Sequence, residues 1–140
     1  MGAWGIGNFE NDEASDWVWD LVKSKDKDFL HETLARAVGG ELSNSSTCAE
    51  ALAAAEVTLA GLNKEADNLP DEAADWLNKG TGLLRKKVKV FGPQDAILAQ
   101  EAVQRISSSS ELLDLWIESG NDSEWLELQN KLSERLASHA

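Results

Sequence analysis

Apolar residues recur along this chain at intervals of three and four, the spacing that lays them on one side of an α-helix. The first such stripe is Ala14, Trp17, Val18, Leu21 and Val22. Asn11 or Asp12 can cap it, because a short side-chain acceptor satisfies an amide that the first turn leaves unpaired. Glu13 follows where negative charge meets the positive end of the helix dipole. Trp19 falls off the stripe, and nothing in the pattern covers it. After a polar break at Ser24 to Lys27, the residues Phe29, Leu30, Leu34, Ala37 and Val38 predict a second helix that ends at Gly39 and Gly40. Glu41 to Ser46 reads as a polar loop, and Thr47-Cys48-Ala49-Glu50 as a capping box. The run from Ala51 to Leu62 is alanine-rich and apolar on most sides, the pattern of a central helix that neighbouring backbones approach closely.

Asn63 to Asn68 reads as a loop, and Pro70 fits the first turn of a short helix carrying Ala74, Trp76 and Leu77, with Gly80 to stop it. Within 81–92 the alternation Lys87-Val88-Lys89-Val90 resembles a strand, but one short strand without a partner does not stand alone, so a loop or helix end is expected. Gly92-Pro93 is a break. Ala96, Ala99, Val103 and Ile106 predict the next helix, interrupted at Ser107 to Ser110. Ser110 can cap a helix with Leu112, Leu115 and Trp116 that runs to Gly120, and Ser123 can cap a last one with Trp125, Leu128, Leu132 and Leu136. No exact internal repeat is present. These patterns predict an all-α fold, a single domain over residues 1–140 built as an irregular bundle of about seven helices around the alanine-rich one.

The opening stretch adds a different element. Residues 1–19 hold three of the six tryptophans. Gly2, Gly5 and Gly7 bracket Trp4 and precede Phe9, which predicts a turn-rich segment packed on the bundle, with Trp4 buried as its anchor. A phosphate-binding loop is excluded, because its glycines are followed by Lys and Ser or Thr, whereas Gly7 is followed by Asn8, Phe9 and Glu10. Asp12 and Asp16 stand one helical turn apart and share a face, where two carboxylates could hold a hard cation or work as an acid–base pair, although acids at a helix start are expected for capping alone. Glu56 interrupts the apolar run of the central helix, so its carboxylate must reach an edge or find a partner. Buried and unpaired, its pKa would rise and it would be a candidate acid or base; a structural ion pair or a capping contact is the plainer reading. The candidate constellation is Asn11, Asp12, Asp16 and Glu56, with Trp4 and Trp17 walling a pocket, and Gly5, Gly7 and Phe9 completing the motif.

Charge changes the picture of partners. Thirteen basic against 25 acidic residues give a formal charge of −12, which argues against binding nucleic acid through its phosphates. Arg85, Lys86, Lys87 and Lys89 are read as a local counterweight. Glu111, Asp114 and Glu118 recur at three and four, so they share one helical face that could meet a basic protein; plain solubility charge is the simpler alternative. No apolar run reaches the roughly 20 residues of a membrane helix, and no leader of the secretory type opens the chain, so a cytoplasmic protein is expected, as a monomer or small homo-oligomer. The single cysteine, Cys48, is read as a small buried side chain. His31 and His139 lack a second histidine at ligand spacing, and no nucleophile–base pair stands out, so no metal, no cofactor and no catalysis are expected. The favoured function is a protein–protein interaction module, with an immunity or antitoxin-like role as one form. The alternative is a small-ligand-binding or hydrolytic protein that uses the carboxylates near the opening.

The opening MGAWGIGNFENDEASDW resembles that of a family of small bacterial proteins catalogued as a domain of unknown function, whose members begin MGxWGxGxFxNDxAxDW. The resemblance continues through Ala51 to Glu56, through Leu69, Pro70 and Trp76, and through Ser110, Glu111, Leu112, Leu115 and Trp116. The chain departs from it at Ile6, where a small hydroxylated residue is usual, and at Asn8, where proline is frequent. The resemblance implies the helical fold and the importance of the opening; it brings no activity, substrate or catalytic residue.

Overall fold

A computed structural model describes residues 3–63, 69–78 and 90–140. The expected stop at Gly80, the ambiguous stretch up to Lys89 with its four bases, and most of the loop after Asn63 lie outside the described residues. Within them the chain forms seven helices: α1 (Asp12–Lys23), α2 (Asp28–Gly39), α3 (Ser45–Leu62), α4 (Asp71–Asn78), α5 (Pro93–Ser108), α6 (Glu111–Ser119) and α7 (Asp122–Ala137). An isolated antiparallel bridge between Ala3 and Asn11 is the β-type pairing among the described residues. The all-α bundle read from the periodicity is the fold.

The eighteen residues of α3 pack against all six other helices. The composition explains this. Ala49, Ala51, Ala53, Ala54 and Ala55 are buried together with Cys48, Leu52, Val57 and Leu59, so the helix presents no polar face that must remain in water. Small side chains let backbones on every side come near. The second hub is α5, which lies against α2, α3, α6 and α7 and contributes Ala99, Ala102, Val103 and Ile106 to the core. Two ring stacks fill the wider gaps, Trp17 on Phe29 with centroids 5.7 Å apart and Trp116 on Trp125 at 6.3 Å, both in the favourable range for offset aromatic pairs.

The helix ends follow the capping rules, with two corrections. Asn11 caps α1, its side chain accepting from the Ala14 amide at 2.8 Å, and Ser110 caps α6, accepting from the Leu113 amide at 3.0 Å. The third helix, however, starts earlier than the Thr47 capping box predicts: Asn44 adopts an extended backbone and accepts from the Ser46 amide at 2.8 Å. Likewise Ser123 lies inside α7, whose cap position is Asn121 without a side-chain bond. At the other end of α6, Gly120 takes φ of +81°, the left-handed geometry that a side chain would strain. The last carbonyls of α2 receive another partner. Arg105 of α5 donates from Nη1 to the carbonyls of Ala37, Val38 and Gly40 at 2.7–2.8 Å, placing positive charge at the negative end of the dipole.

Candidate functional site

The opening segment folds back on itself before α1 begins. The Trp4 amide donates to the Glu10 carbonyl at 2.9 Å and the Glu10 amide to the Gly7 carbonyl at 3.0 Å. Glu10 then turns its carboxylate over the glycines, accepting from the Gly7 amide at 3.1 Å. A Cβ on Gly5 or Gly7 would meet that carboxylate, which is the end of an exposed side chain and could swing aside. Ile6 and Phe9 pack partly on the core. Trp4 does not: it is 62% exposed. The expectation that Trp4 is the buried anchor is therefore overturned. Backbone pairing and the inward side chains of Ile6, Asn8 and Phe9 hold the segment, and its outward turn leaves the Trp4 ring in solvent.

Asn8 is the inward polar residue, and it meets the carboxylate of the alanine-rich helix. Its Nδ2 donates to Glu56 Oε2 at 3.1 Å and to Gln129 Oε1 at 3.1 Å, while Gln129 Nε2 returns a bond to Asn8 Oδ1 at 2.8 Å. The two amides thus close a ring between the opening segment and α7, with Glu56 of α3 as its third member. Gln129 is fully buried and Asn8 nearly so, and reciprocal pairing is what such amides require. Burial pushes the Glu56 carboxyl above its ordinary value, while the Asn8 bond and the positive charge of Arg135 pull it back without cancelling the rise. Beside this ring lies a recess of about 700 Å³, bordered by Ile6, Phe9, Glu56, Leu132 and, at the rim, Lys131 and Arg135.

The rest of the candidate constellation is dispersed. Asp12 and Asp16 are exposed on α1. Trp17 is a core residue, stacked on Phe29 and donating from Nε1 to Thr33 Oγ1 at 2.9 Å. Among the described residues, neither Trp4 nor Trp17 lines the recess at Glu56, so the two rings do not wall it. The outer face of α1 is nonetheless distinctive. Trp19 is 59% exposed, and Asp12, Asp16, Asp20 and Lys23 line the same strip of helix in solvent. On α6, Glu111, Asp114 and Glu118 are all exposed, with Ile117 among them at 52%. The two acidic helices border one narrow crevice, which takes Asn11 and Glu13 from one side and Leu112 and Trp116 from the other.

Sequence reasoning missed a second polar cluster. Asp95, buried in the first turn of α5, accepts from the Gly92 amide at 2.8 Å and from Lys27 Nζ at 3.0 Å, and meets His31 Nε2 at 2.5 Å. Lys27 also lies 5.0 Å from the Phe91 ring centroid. Burial alone would raise the Asp95 pKa; the Gly92 amide, Lys27 and His31 outweigh it, and the pKa is lowered. The cluster ties the start of α2 to the start of α5. The Asp at the third position of a helix after Gly-Pro was its available signal. Cys48 is buried, with its thiol pushed up by that burial, which makes it a packing side chain rather than a nucleophile.

Fold and site together define the class: a small all-α bundle, sealed by its own amino-terminal segment, in which no helix among the described residues is long and apolar enough to cross a membrane. The chain belongs to the family described as a domain of unknown function, DUF4259, which it matches over residues 2–128. No curated protein and no solved structure matches it.

Proposed function

We propose that the protein is a docking module for a basic protein partner and that the outer face of α1 is its contact surface. The observation that carries this reading is Trp19, held in solvent at 59% exposure on a strip with Asp12, Asp16 and Asp20. Surface tryptophan dominates binding energy where a partner covers it, and its ring face attracts Lys and Arg. Asp16, one turn before Trp19, and Asp20 beside it would hold those same cations. The formal charge of −12 steers a basic partner toward the molecule before contact. Neutralising a basic toxin, as an immunity or antitoxin protein does, is the form of docking that such a surface suits.

The test is capture of partners by the immobilised chain, the W19A variant and the D16K/D20K variant, at low and at high salt. Asp12 is left in place because reversal in the first turn would oppose the helix dipole. A basic protein held by the native chain should leave it as salt rises and should be lost from both variants, with an affinity loss for W19A of about 30-fold or more, the equivalent of roughly 2 kcal/mol. Undiminished capture by both variants would exclude this face. Reversal of Glu111, Asp114 and Glu118 on α6 tests whether the second acidic strip extends the contact.

A further inference from the structure

The recess beside Glu56 has a chemistry of its own. At about 700 Å³ it falls within the size range of small-molecule sites. Ile6, Phe9, Leu69, Leu128 and Leu132 supply apolar wall, and two opposite charges stand in it without pairing. Glu56 accepts one hydrogen bond, from Asn8 to Oε2, and among the described residues no donor reaches its Oε1. Arg135, exposed at the rim, acts on Glu56 through space but forms no ion pair with it. Lys131, also at the rim, is engaged by Glu127 at 3.4 Å, and Glu10 is turned toward the Gly7 amide. A gap therefore separates a carboxylate enclosed in the wall from a free guanidinium.

We propose that this recess binds a small zwitterion of the α-amino-acid class with an apolar side chain, its ammonium on Glu56, its carboxylate on Arg135 and its side chain against Ile6, Phe9 and Leu132. One such molecule pairs both charges at once, whereas a simple anion or a simple amine leaves one of them alone. A carboxylate disfavoured by burial gains most from a cation placed beside it, and guanidinium is the side chain that grips a carboxylate through two parallel bonds. Being neutral overall, the ligand enters an acidic protein without net repulsion. The site stands apart from the α1 face, since Trp19 and its neighbouring acids do not line it.

Isothermal titration calorimetry on the full chain tests this with L-leucine and L-phenylalanine. Two analogues each remove one charge from leucine: 4-methylpentanoate lacks the ammonium and 3-methylbutylamine lacks the carboxylate. One-to-one binding of at least one amino acid is expected, weakened roughly tenfold or more in its single-charge analogues and in R135Q and E56Q, as the loss of a charge-assisted bond implies. R135Q alters an exposed side chain and keeps the fold, so it decides the matter together with the analogues even where E56Q fails to fold. The proposal is overturned by absence of saturable binding for both amino acids, by 4-methylpentanoate binding as tightly as leucine, or by unchanged affinity in R135Q.

Discussion

Asn8 and Trp4 exchange the roles that their chemistry suggests. The aromatic residue stands outside and the amide is the anchor. An amide can take that role because Gln129 and Glu56 use its donors and its acceptor together, and a satisfied buried network fixes one geometry. Removing Asn8 leaves buried groups of both partners unpaired, which costs about 1–3 kcal/mol. N8A should therefore lower the urea midpoint clearly, while W4A, a change at an exposed ring, should stay within about 0.5 kcal/mol of the native chain. Equal losses in the two variants would return the anchor to Trp4. Nothing in the sequence tells Asn8 apart from a turn residue, since its partners lie 48 and 121 positions away. Glu56 was legible as an anomaly, a carboxylate in an alanine run, but its partner was not.

At the scale of elements, the stripes of apolar residues were enough to find six of the seven helices of the described residues, because each of those must bury one face against the others, and the alanine-rich run that is apolar on most sides was enough to find α3. The starts were less legible. Asn44 and Thr47 are both good caps, and the choice between them depends on which residue has the extended backbone, a matter of how the preceding loop reaches α6, where the Glu111 amide donates to the Leu42 carbonyl at 2.8 Å. The junction of α2 and α5 was only half legible: Asp95 stands at a capping position after Gly92-Pro93, but Lys27 and His31 look unremarkable until folding brings them to it. It has a pH signature. The Asp95 pKa is lowered on folding, so the folded state binds its proton less readily than the unfolded chain does. The stability that this adds is complete above the ordinary aspartate value and is lost as pH falls through the depressed folded value. Across that acid window, D95N should show a flatter dependence of urea midpoint on pH than the native chain. Parallel curves for the two would mean that the cluster contributes nothing to acid stability.

For the whole molecule, the centre is set by composition and the closure by a long-range bond. Every other helix of the described residues reaches α3, and the opening segment docks on that bundle through Asn8. The opening segment then behaves as a latch on α7. Q129A, which removes the receiving amide, should speed hydrogen exchange at the Trp4 and Glu10 amides while leaving the amides in the middle of α3 slow, because the segment can open without unfolding the bundle. Acceleration of both sets together would make the segment part of the cooperative core. The two ends of that bond are also separated in time. Residue 8 leaves the ribosome long before residue 129 exists, and at about 5–20 residues per second the interval is on the order of ten seconds. For that period Asn8 can meet Glu56 but not Gln129, so the ring that fixes the segment stays half closed until α7 has been made.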